Sequence, residues 1–450
     1  MLNYRKYYTL TRTSMNPLKK IVDALLPTAP QKVDNKTLQF STTGSNIYVP
    51  TGFDGEELYT TLLQQYDHAM KTGDETKARD IYNTASRTLS VSDFTRNVYN
   101  NATNSPASMA YWLPYLHTSI KDHNLNFSIP RTKILRMDNS LAQYTRLDYM
   151  AGRAGHEGKE ANDISVEAFD KIIYKAFVLD KETPQFGTYF IKTGSFSNKF
   201  EFRNCACTEP EEIGQYFHLI CNQAMIVGAG NDIDLVVRDY IPAAPQTPKI
   251  YHGMPLRCEM RAFIDLETKK LLGIVPYWHE NVMKTALALA HQTPEVVNID
   301  RKDLGTYMNR APWLKQEFNQ RRDTVAGEVT HLIKSLKDTR VTDIKGNESR
   351  MHGAWSIDIL VGNTPGLDDG QLWLIDAAPM NTSALADMLL VTDEYSFVSP
   401  QEVKRLMQRP HFINPEIPHF IHPNHVKEFE PLGNGYKITP QPQQLEKENH

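Results

Sequence analysis

The sequence predicts an α+β fold. Seven short apolar runs, rich in β-branched and aromatic residues, are separated by Pro, Gly and Asn, which is typical of strands and the turns between them. Segments with a helical spacing of apolar residues lie between several of these runs. Two pairs of runs are joined by short polar segments and therefore predict hairpins. Strand pairs mixed with helices indicate an α+β arrangement.

The predicted strands are residues 133–137, 188–192, 235–241, 258–265, 271–278, 355–361 and 372–378. The predicted helices are residues 165–178, 210–225, 281–292 and 322–338. In the last helix Val325, Val329 and Leu332 share one face, which indicates a helix that packs on a core. The strands at 258–265 and 271–278 form one expected hairpin, and the last two strands form the other.

The composition is that of a globular protein. Of the 450 residues, 40% are hydrophobic and 23% charged, which is enough for two or three domains. The net charge of -4 does not indicate nucleic-acid binding. No apolar run of about 18 residues predicts a membrane span, and no apolar run follows the basic N-terminal residues, so a signal peptide is not expected. The four cysteines lack a zinc-binding spacing and suit a reducing compartment, so we expect a cytoplasmic protein.

Three regions differ in character. Residues 1–104 are predicted to be a mainly helical accessory region, because apolar positions between residues 56 and 89 follow helical spacing. Residues 105–432 contain all the predicted strands and form the main domain. Residues 433–450 are polar and rich in Pro and Gln, so we expect a disordered tail.

The first candidate site is a strand that ends in a lysine. Lys192 closes the strand at 188–192, and Thr-Gly-Ser-Phe-Ser-Asn separates it from Lys199. Backbone N–H groups and serine hydroxyls in such a loop donate hydrogen bonds to phosphate, while the lysines neutralise its charge. A solvated loop that carries two lysines is the alternative.

The second candidate is a strand that runs directly into a proline-containing segment, which makes a hinge. The hinge residues are Arg238, Asp239, Tyr240 and Ile241. Backbone groups from Asp239 to Ile241 are expected to be exposed and to hydrogen-bond the edge of an adenine ring. An ordinary exit from an edge strand explains the same residues.

Charged residues on two further strands complete the candidate set. Arg257, Glu259 and Arg261 alternate and so point to one face of a sheet, where two arginines suit a triphosphate with its metal. Asp358 and Asp376 each lie inside an apolar strand, where a carboxylate is costly unless it is paired or bound to metal. On adjacent strands the two can hold a hard divalent cation. In both cases an internal salt-bridge network is the alternative.

Taken in order, these elements resemble the ATP-grasp superfamily, and the closest pattern is the branch that includes the cell division cycle 123 family. The resemblance runs from about Tyr111 to about Asn381. It rests on the segments YWLPYL, IPRTKIL, FIKTGSFSNKFEF, LVVRDYIP, MPLRCEMRAFID, WSIDILV and LWLIDAAPMN, which follow the order of that superfamily's motifs.

The resemblance implies two α+β lobes that clasp ATP, preceded by the mainly helical region. The residues it implies for ATP binding are Lys192, Lys199, Arg238, Asp239, Tyr240, Ile241 and Arg257. Arg261 is expected to face the terminal phosphate and to act in catalysis together with Lys199. Asp358 and Asp376 are expected to hold Mg²⁺.

One position departs from the pattern. The family's metal-binding Asn falls at Ala378, and Asn381, three residues further on, is the expected substitute ligand. Loss of an oxygen ligand weakens the metal site or marks a protein that binds ATP without turnover. The loop also reads Asn198-Lys199-Phe200 where the family has Pro-Lys-Asp.

The resemblance leads to two functions. The first is an ATP- and Mg-dependent ligase, in which an unknown carboxylate attacks the γ-phosphate and the resulting acylphosphate is attacked by an amine or another nucleophile. The second is an ATP-binding assembly factor that docks a partner peptide with little turnover. A third reading assigns the charged residues to structural networks without a nucleotide. The acceptor, the partner and the oligomeric state do not follow from the sequence.

Overall fold

The computed structural model describes residues 68–69, 71–74, 77, 102–137, 141–142, 169–177, 187–226, 232–292, 302–407 and 417–433. The helices predicted in residues 1–104 and the predicted tail from 433 therefore lie almost wholly outside the described residues. Within these ranges the protein is mixed α+β, with antiparallel sheets and helices, as expected. None of the helices described there has the length and apolar character that a bilayer crossing demands.

The helices are α1 (Met109–Asp122), α2 (Ile213–Ile226), α3 (Glu280–Gln292), α4 (Asp303–Asp338), α5 (Met388–Val391) and α6 (Pro400–Met407). Residues 169–177 are also helical. The strands are β1 (Thr132–Arg136), β2 (Tyr189–Thr193), β3 (Ala206–Cys207), β4 (Asp234–Asp239), β5 (Lys249–Ile250), β6 (Met254–Pro255), β7 (Glu259–Asp265), β8 (Lys270–Pro276), β9 (Val341–Thr342), β10 (Glu348–Ser349), β11 (Ala354–Val361), β12 (Leu372–Pro379) and β13 (Val426–Phe429).

All seven predicted strands and both predicted hairpins are present in the structure. The sequence did not predict α1, which contains Pro114, and it placed the start of α4 at residue 322 instead of Asp303. A proline inside a helix removes one backbone hydrogen bond and usually ends the helix. α1 continues through Pro114 and α4 continues through Pro312, because the buried face of each helix packs on the core.

Sheet one has the strand order β13-β1-β4-β2-β3, and every neighbouring pair is antiparallel. One face carries Leu135, Ile191 and Val237, which pack in a core with α2 and the helical residues 169–177. Because side chains alternate along a strand, Lys192 and Arg238 lie on the opposite face.

Sheet two has the order β12-β11-β7-β8 and is also antiparallel throughout. Ile357 and Ile359 belong to the core that its apolar face shares with α4. The charged residues Glu259, Arg261 and Asp358 occupy the alternating positions and so lie on the other face. One face of sheet two is therefore committed to the core, and the other is free to build a site.

The two sheets are tied together by backbone contacts. Ser128 exchanges hydrogen bonds with the edge of β12, donating to the Leu372 carbonyl at 2.8 Å and accepting from the Leu374 amide at 2.9 Å. The chain then enters β1 of sheet one four residues later. Arg238 of sheet one also donates from Nη1 to the Ile375 carbonyl of β12 at 2.6 Å. The charged faces of the two sheets thus meet along β12.

Substitution of Gly273 tests how tightly the segment around Tyr395 packs on β8. A Cβ atom at Gly273 would collide with the Tyr395 carbonyl oxygen and lie 2.5 Å from a methyl carbon of Leu389. Gly273→Ala should therefore destabilise the protein by about 1–3 kcal/mol in urea unfolding. Gly327→Ala is the matched control, because this exposed position in α4 has no atom within 4 Å of a new Cβ. It should stabilise by about 0.5–1 kcal/mol, and equal effects at both sites would contradict the packing.

Candidate functional site

A row of charged side chains crosses sheet two. The register pairs Arg261 of β7 with Asp358 of β11, and Asp358 with Asp376 of β12. Residues directly opposite on antiparallel strands share a face and have Cβ atoms about 4.5–5.5 Å apart. The two aspartates are therefore neighbours on one face, as the hairpin pattern predicted, and like charges so placed repel each other.

Each aspartate has its own cation. Arg261 donates from Nε and Nη2 to the two carboxylate oxygens of Asp358, both at 2.7 Å. Lys192 reaches across from sheet one and donates from Nζ to Oδ2 of Asp376 at 2.9 Å. The Lys192 side chain is only 2% exposed, whereas that of Asp376 is 32% exposed. The Lys192–Asp376 pair therefore joins the two sheets, with its acidic partner accessible to solvent.

A second lysine and a third carboxylate complete the group. The Nζ atom of Lys199 lies 3.8 Å from the ring centroid of Tyr277, and Cζ of Arg261 lies 4.8 Å from the same centroid. Glu259 is buried two residues before Arg261 on the same face of β7. Burial raises the pKa of Glu259 to about 7, and the positive charge of Lys199 opposes that shift. Burial also lowers the pKa of Lys199, and Glu259 opposes this shift in turn.

We call this group the intersheet site, and it consists of Lys192, Lys199, Arg261, Glu259, Asp358 and Asp376. Three basic side chains therefore face three carboxyl groups, and each aspartate has a cationic partner. The period-two alternation of charges predicted that Glu259 lies on this face, but no pattern in the sequence assigned it a role. Its environment depends on Lys199, which is 60 positions away along the chain.

The loop between the two lysines is held in place by hydrogen bonds that its backbone amides donate to other groups of the protein. The Gly194 amide donates to the Asp234 carbonyl at 2.8 Å, the Ser195 amide donates to the Asp232 carboxylate, and the Phe196 amide donates to Oγ1 of Thr193 at 3.1 Å. These three amides are therefore engaged within the protein, contrary to the expectation that they donate to phosphate. The loop positions Lys199 instead of forming a cradle of N–H groups.

The anchor of this loop is a buried acidic pair. Arg136 donates from Nε and Nη2 to the two oxygens of Asp234, both at 2.9 Å, and the Ser108 hydroxyl donates to the same carboxylate. Burial and the neighbouring Asp234 charge raise the pKa of Asp232 to about 6. The loop is thus fixed to sheet one through contacts that lie outside the intersheet site.

The predicted hinge contributes less than expected. The Asp239 amide donates to the Arg131 carbonyl at 3.0 Å, and the Tyr240 amide donates to the Thr188 carbonyl at 3.1 Å. The Asp239 side chain lies on the face of sheet one opposite to Lys192 and pairs with Arg131 at 3.3 Å. Two of the three amides expected to bind adenine are therefore used by the protein itself, and Ile241 is the hinge residue that faces the site.

An apolar patch adjoins the charged row. Ile241 packs with Leu360 and Trp373, and Ile375 borders them. Leu360 follows Asp358 by two residues on the same face of β11, which is about 7 Å along the strand. Trp373 is its direct partner on β12. The face of sheet two consequently carries the row Arg261–Asp358–Asp376 and, beside it, a row in which Leu360 lies between Glu259 and Trp373. The sequence did not predict this pattern.

The two remaining predicted arginines serve as links. Arg238 connects the sheets, because in addition to its bond to β12 it donates from Nε to Oγ1 of Thr132 at 3.0 Å. Arg257 lies just before β7 and donates from Nη1 to the Pro242 carbonyl at 2.9 Å, which holds the hinge against sheet two. Both side chains are buried, so each contributes to the walls of the site.

The predicted substitute metal ligand lies near the row but is exposed. Asn381 belongs to the 3-10 turn Met380–Thr382 and is exposed to solvent. The same segment approaches the row, because Arg261 donates from Nη1 to the Ala384 carbonyl at 3.0 Å. Ala378 lies on the same face as Asp376 and opposite Ser356, so it contributes no oxygen ligand from its side chain.

The donor set of the row fits one kind of metal binding. Across the described part of the chain, no three or more His, Cys, Asp or Glu side chains are grouped so as to hold a metal ion. Mg²⁺ requires fewer protein ligands, since it is usually held by one or two carboxylates, phosphate oxygens and water. Asp358 and Asp376 therefore suit a Mg²⁺ ion that arrives with a phosphate group, and not a self-contained metal centre.

Comparison of the chain with protein-family models, with curated proteins and with solved structures finds no match.

The buried state of Glu259 predicts how stability varies with pH. Its pKa in the folded protein, about 7, lies above the ordinary value of 4.5, so the folded state holds this proton more tightly than the unfolded state. Its contribution to stability is therefore fully present below pH 4.5 and is lost as the pH rises to 7, by at most about 1.4 kcal/mol per pH unit. Glu259→Gln should gain stability relative to the wild type between pH 5 and pH 8 in urea unfolding. The exposed Glu348→Gln variant should run parallel to the wild type, and a parallel Glu259→Gln curve would contradict the burial.

Proposed function

We propose that the intersheet site binds ATP together with Mg²⁺ and that the two sheets, with their helices, clasp the nucleotide as the lobes of an ATP-grasp fold. The observation that carries the proposal is the ion pair between Lys192 of sheet one and Asp376 of sheet two, with 2.9 Å between Nζ and Oδ2. A phosphate-binding cation and a metal-binding carboxylate thus face each other from different sheets. A cytoplasmic location, where ATP and Mg²⁺ are abundant, belongs to the same proposal.

The two ends of the sheet-two face support an orientation for the nucleotide. The triphosphate lies at the charged row, where Lys192, Lys199 and Arg261 supply cations to its oxygens. The adenine ring lies at the apolar patch, next to Ile241 of the hinge. Leu360 of the patch and Asp358 of the row are about 7 Å apart along β11, so the two binding regions are adjacent.

Binding requires an exchange of partners within the site. Lys192 and Arg261 are paired with aspartates in this structure, and they would turn to phosphate oxygens. Asp376 and Asp358 would then hold Mg²⁺, which neutralises charge on the phosphate oxygens when it is bound. Asp376 is the aspartate ready for this exchange, because its side chain is the accessible one.

The chemistry that we infer is that of an ATP-dependent ligase. Lys199 and Arg261 both lie against the ring of Tyr277, whose amide donates to the Glu259 carbonyl, so both cations are held near Glu259. Cations fixed at the place where charge develops stabilise a phosphoryl group in transfer. A carboxylate substrate would be activated there as an acylphosphate for attack by an amine or another nucleophile.

One observation favours a second candidate, an ATP-binding assembly factor that docks a partner peptide with little turnover. Ala378 occupies the strand position next to Asp376 on the metal-facing side, so the site lacks a third oxygen ligand. A site with fewer ligands suits binding without phosphoryl transfer. The two candidates share the nucleotide site and differ in turnover.

Calorimetric titration with ATP and Mg²⁺ tests the nucleotide site. Lys192→Met and Asp376→Asn should each weaken ATP binding roughly 10- to 100-fold, because each removes a charged hydrogen-bonding group from the site. Lys270→Met is the matched control, since Lys270 lies on β8 of the same sheet and its exposed side chain pairs with Glu402 of α6. Circular dichroism checks the fold of each variant. The absence of ATP binding to the wild type would refute the proposal.

Restoring an oxygen ligand separates the two candidates. Ala378→Asn should lower, severalfold, the Mg²⁺ concentration needed for half-maximal ATP binding, because an amide oxygen would join the aspartates on the same face. Ala378→Leu, which adds bulk without an oxygen, should show no such gain. Phosphate release is followed in the same samples with mixtures of carboxylates and amines. Release by the wild type indicates a ligase, whereas release only by Ala378→Asn indicates an assembly factor.

A further inference from the structure

A cavity of about 350 Å³ lies beside the intersheet site, at the end of sheet two where β7 begins and β8 ends. Its walls come from α4, from the end of β8 and from the segment that follows α5. The larger apolar side chains in these walls are Trp278, Tyr307, Leu314, Phe318 and Tyr395. A concave, mostly apolar space of this size is typical of sites for small organic molecules.

The charged groups around the cavity are mainly acidic. Glu259, Glu280, Glu394 and Lys315 line it, and the last three are exposed. Glu280 is already paired with Lys284 at 2.6 Å, whereas Glu394 forms no ion pair with any residue in the described ranges. Carboxylates therefore outnumber cations, and Glu394 is available to receive a positive charge.

Trp278 and His279 add unpaired polar atoms to the wall of the cavity. Burial lowers the pKa of His279, against the pull of Glu394 and Glu280, so the ring is neutral and does not compete with a cation. The indole nitrogen of Trp278 and Nδ1 of His279 are buried and, among the residues that the structure describes, have no hydrogen-bond partner. Buried polar atoms are normally paired, so this wall is not built for packing alone.

We propose that this cavity is a second ligand site that takes a primary ammonium ion on an apolar stem. The stem packs against the aromatic wall, and the ammonium group is directed to Glu394. Aromatic faces, those of Trp above all, attract such cations as well as apolar groups. Binding in the cavity does not depend on the nucleotide. The strand β7, which carries Glu259 and Arg261, borders the cavity, and use of a bound amine as a second substrate rests on the proposed function.

Calorimetry on the full chain with three probes of one shape tests the charge preference. The probes are phenethylamine, its neutral analogue 2-phenylethanol and the acid 3-phenylpropionate, titrated at pH 8 where the amine is protonated. Phenethylamine should bind at least about tenfold more tightly than the other two. Equal or tighter binding of the acid would overturn the proposal.

Variants in the cavity locate the binding. Glu394→Gln should weaken phenethylamine binding severalfold, and Lys315→Gln should strengthen it, because the two changes remove opposite charges from the same rim. Leu314→Trp should abolish binding by filling the space, and Ala311→Phe serves the same purpose if the first variant does not fold. Unchanged affinity in a folded filling variant would overturn the proposal.

Titration of the same variants with ATP and Mg²⁺ separates this proposal from the nucleotide site. The filling variants should bind ATP as the wild type does, because they leave the charged row intact. Amine binding without ATP binding in the wild type would refute the nucleotide site alone. ATP binding without amine binding would refute the cavity site alone.

Discussion

The opposition of Asp358 and Asp376 is the constraint on which the rest of the site depends. Two carboxylates directly opposite on neighbouring strands repel, and the interior strengthens that repulsion. Arg261 neutralises the first from within sheet two, whereas the second pairs with Lys192 of sheet one. The charged face of sheet two is therefore complete only when sheet one has docked. Without sheet one, Asp376 would lose its partner and Lys192, which is buried, would lose the carboxylate that compensates its charge.

Docking in turn depends on contacts that hold the basic residues in place. The loop after β2 is fixed by hydrogen bonds from its backbone amides to the Asp234 carbonyl and the Asp232 carboxylate. The Asp234 side chain is itself held by Arg136. Lys192 is consequently a rigid part of sheet one. Arg238 adds a direct bond to the backbone of β12. The basic side chains are thus held by contacts within the protein, and under the proposed function they exchange carboxylate for phosphate from fixed positions.

The sequence predicted what local patterns determine. Strands with continuous apolar runs were found within a few residues of their bounds, and the cost of a carboxylate in such a run identified Asp358 and Asp376. Contacts between distant segments were not predictable in this way. The approach of Lys199 to Glu259, the patch at Ile241 and the cavity at Trp278 each combine residues from separate elements. The engaged amides of the loop and hinge were missed for the same reason, since their acceptors lie on other strands.

The two aspartates of the intersheet site are each paired with a cation, so the entry of a nucleotide would disturb both ion pairs. If Lys192 and Arg261 turned to the phosphates of ATP without a metal ion, the carboxylates of Asp358 and Asp376 would lose their cations. They would then face each other and the phosphates as like charges. Like charges at this spacing in a partly buried site are strongly unfavourable. A divalent cation between the aspartates and the phosphate oxygens removes this conflict. Under the proposed function, the metal and the nucleotide therefore bind as a unit, and the affinity for either is low without the other.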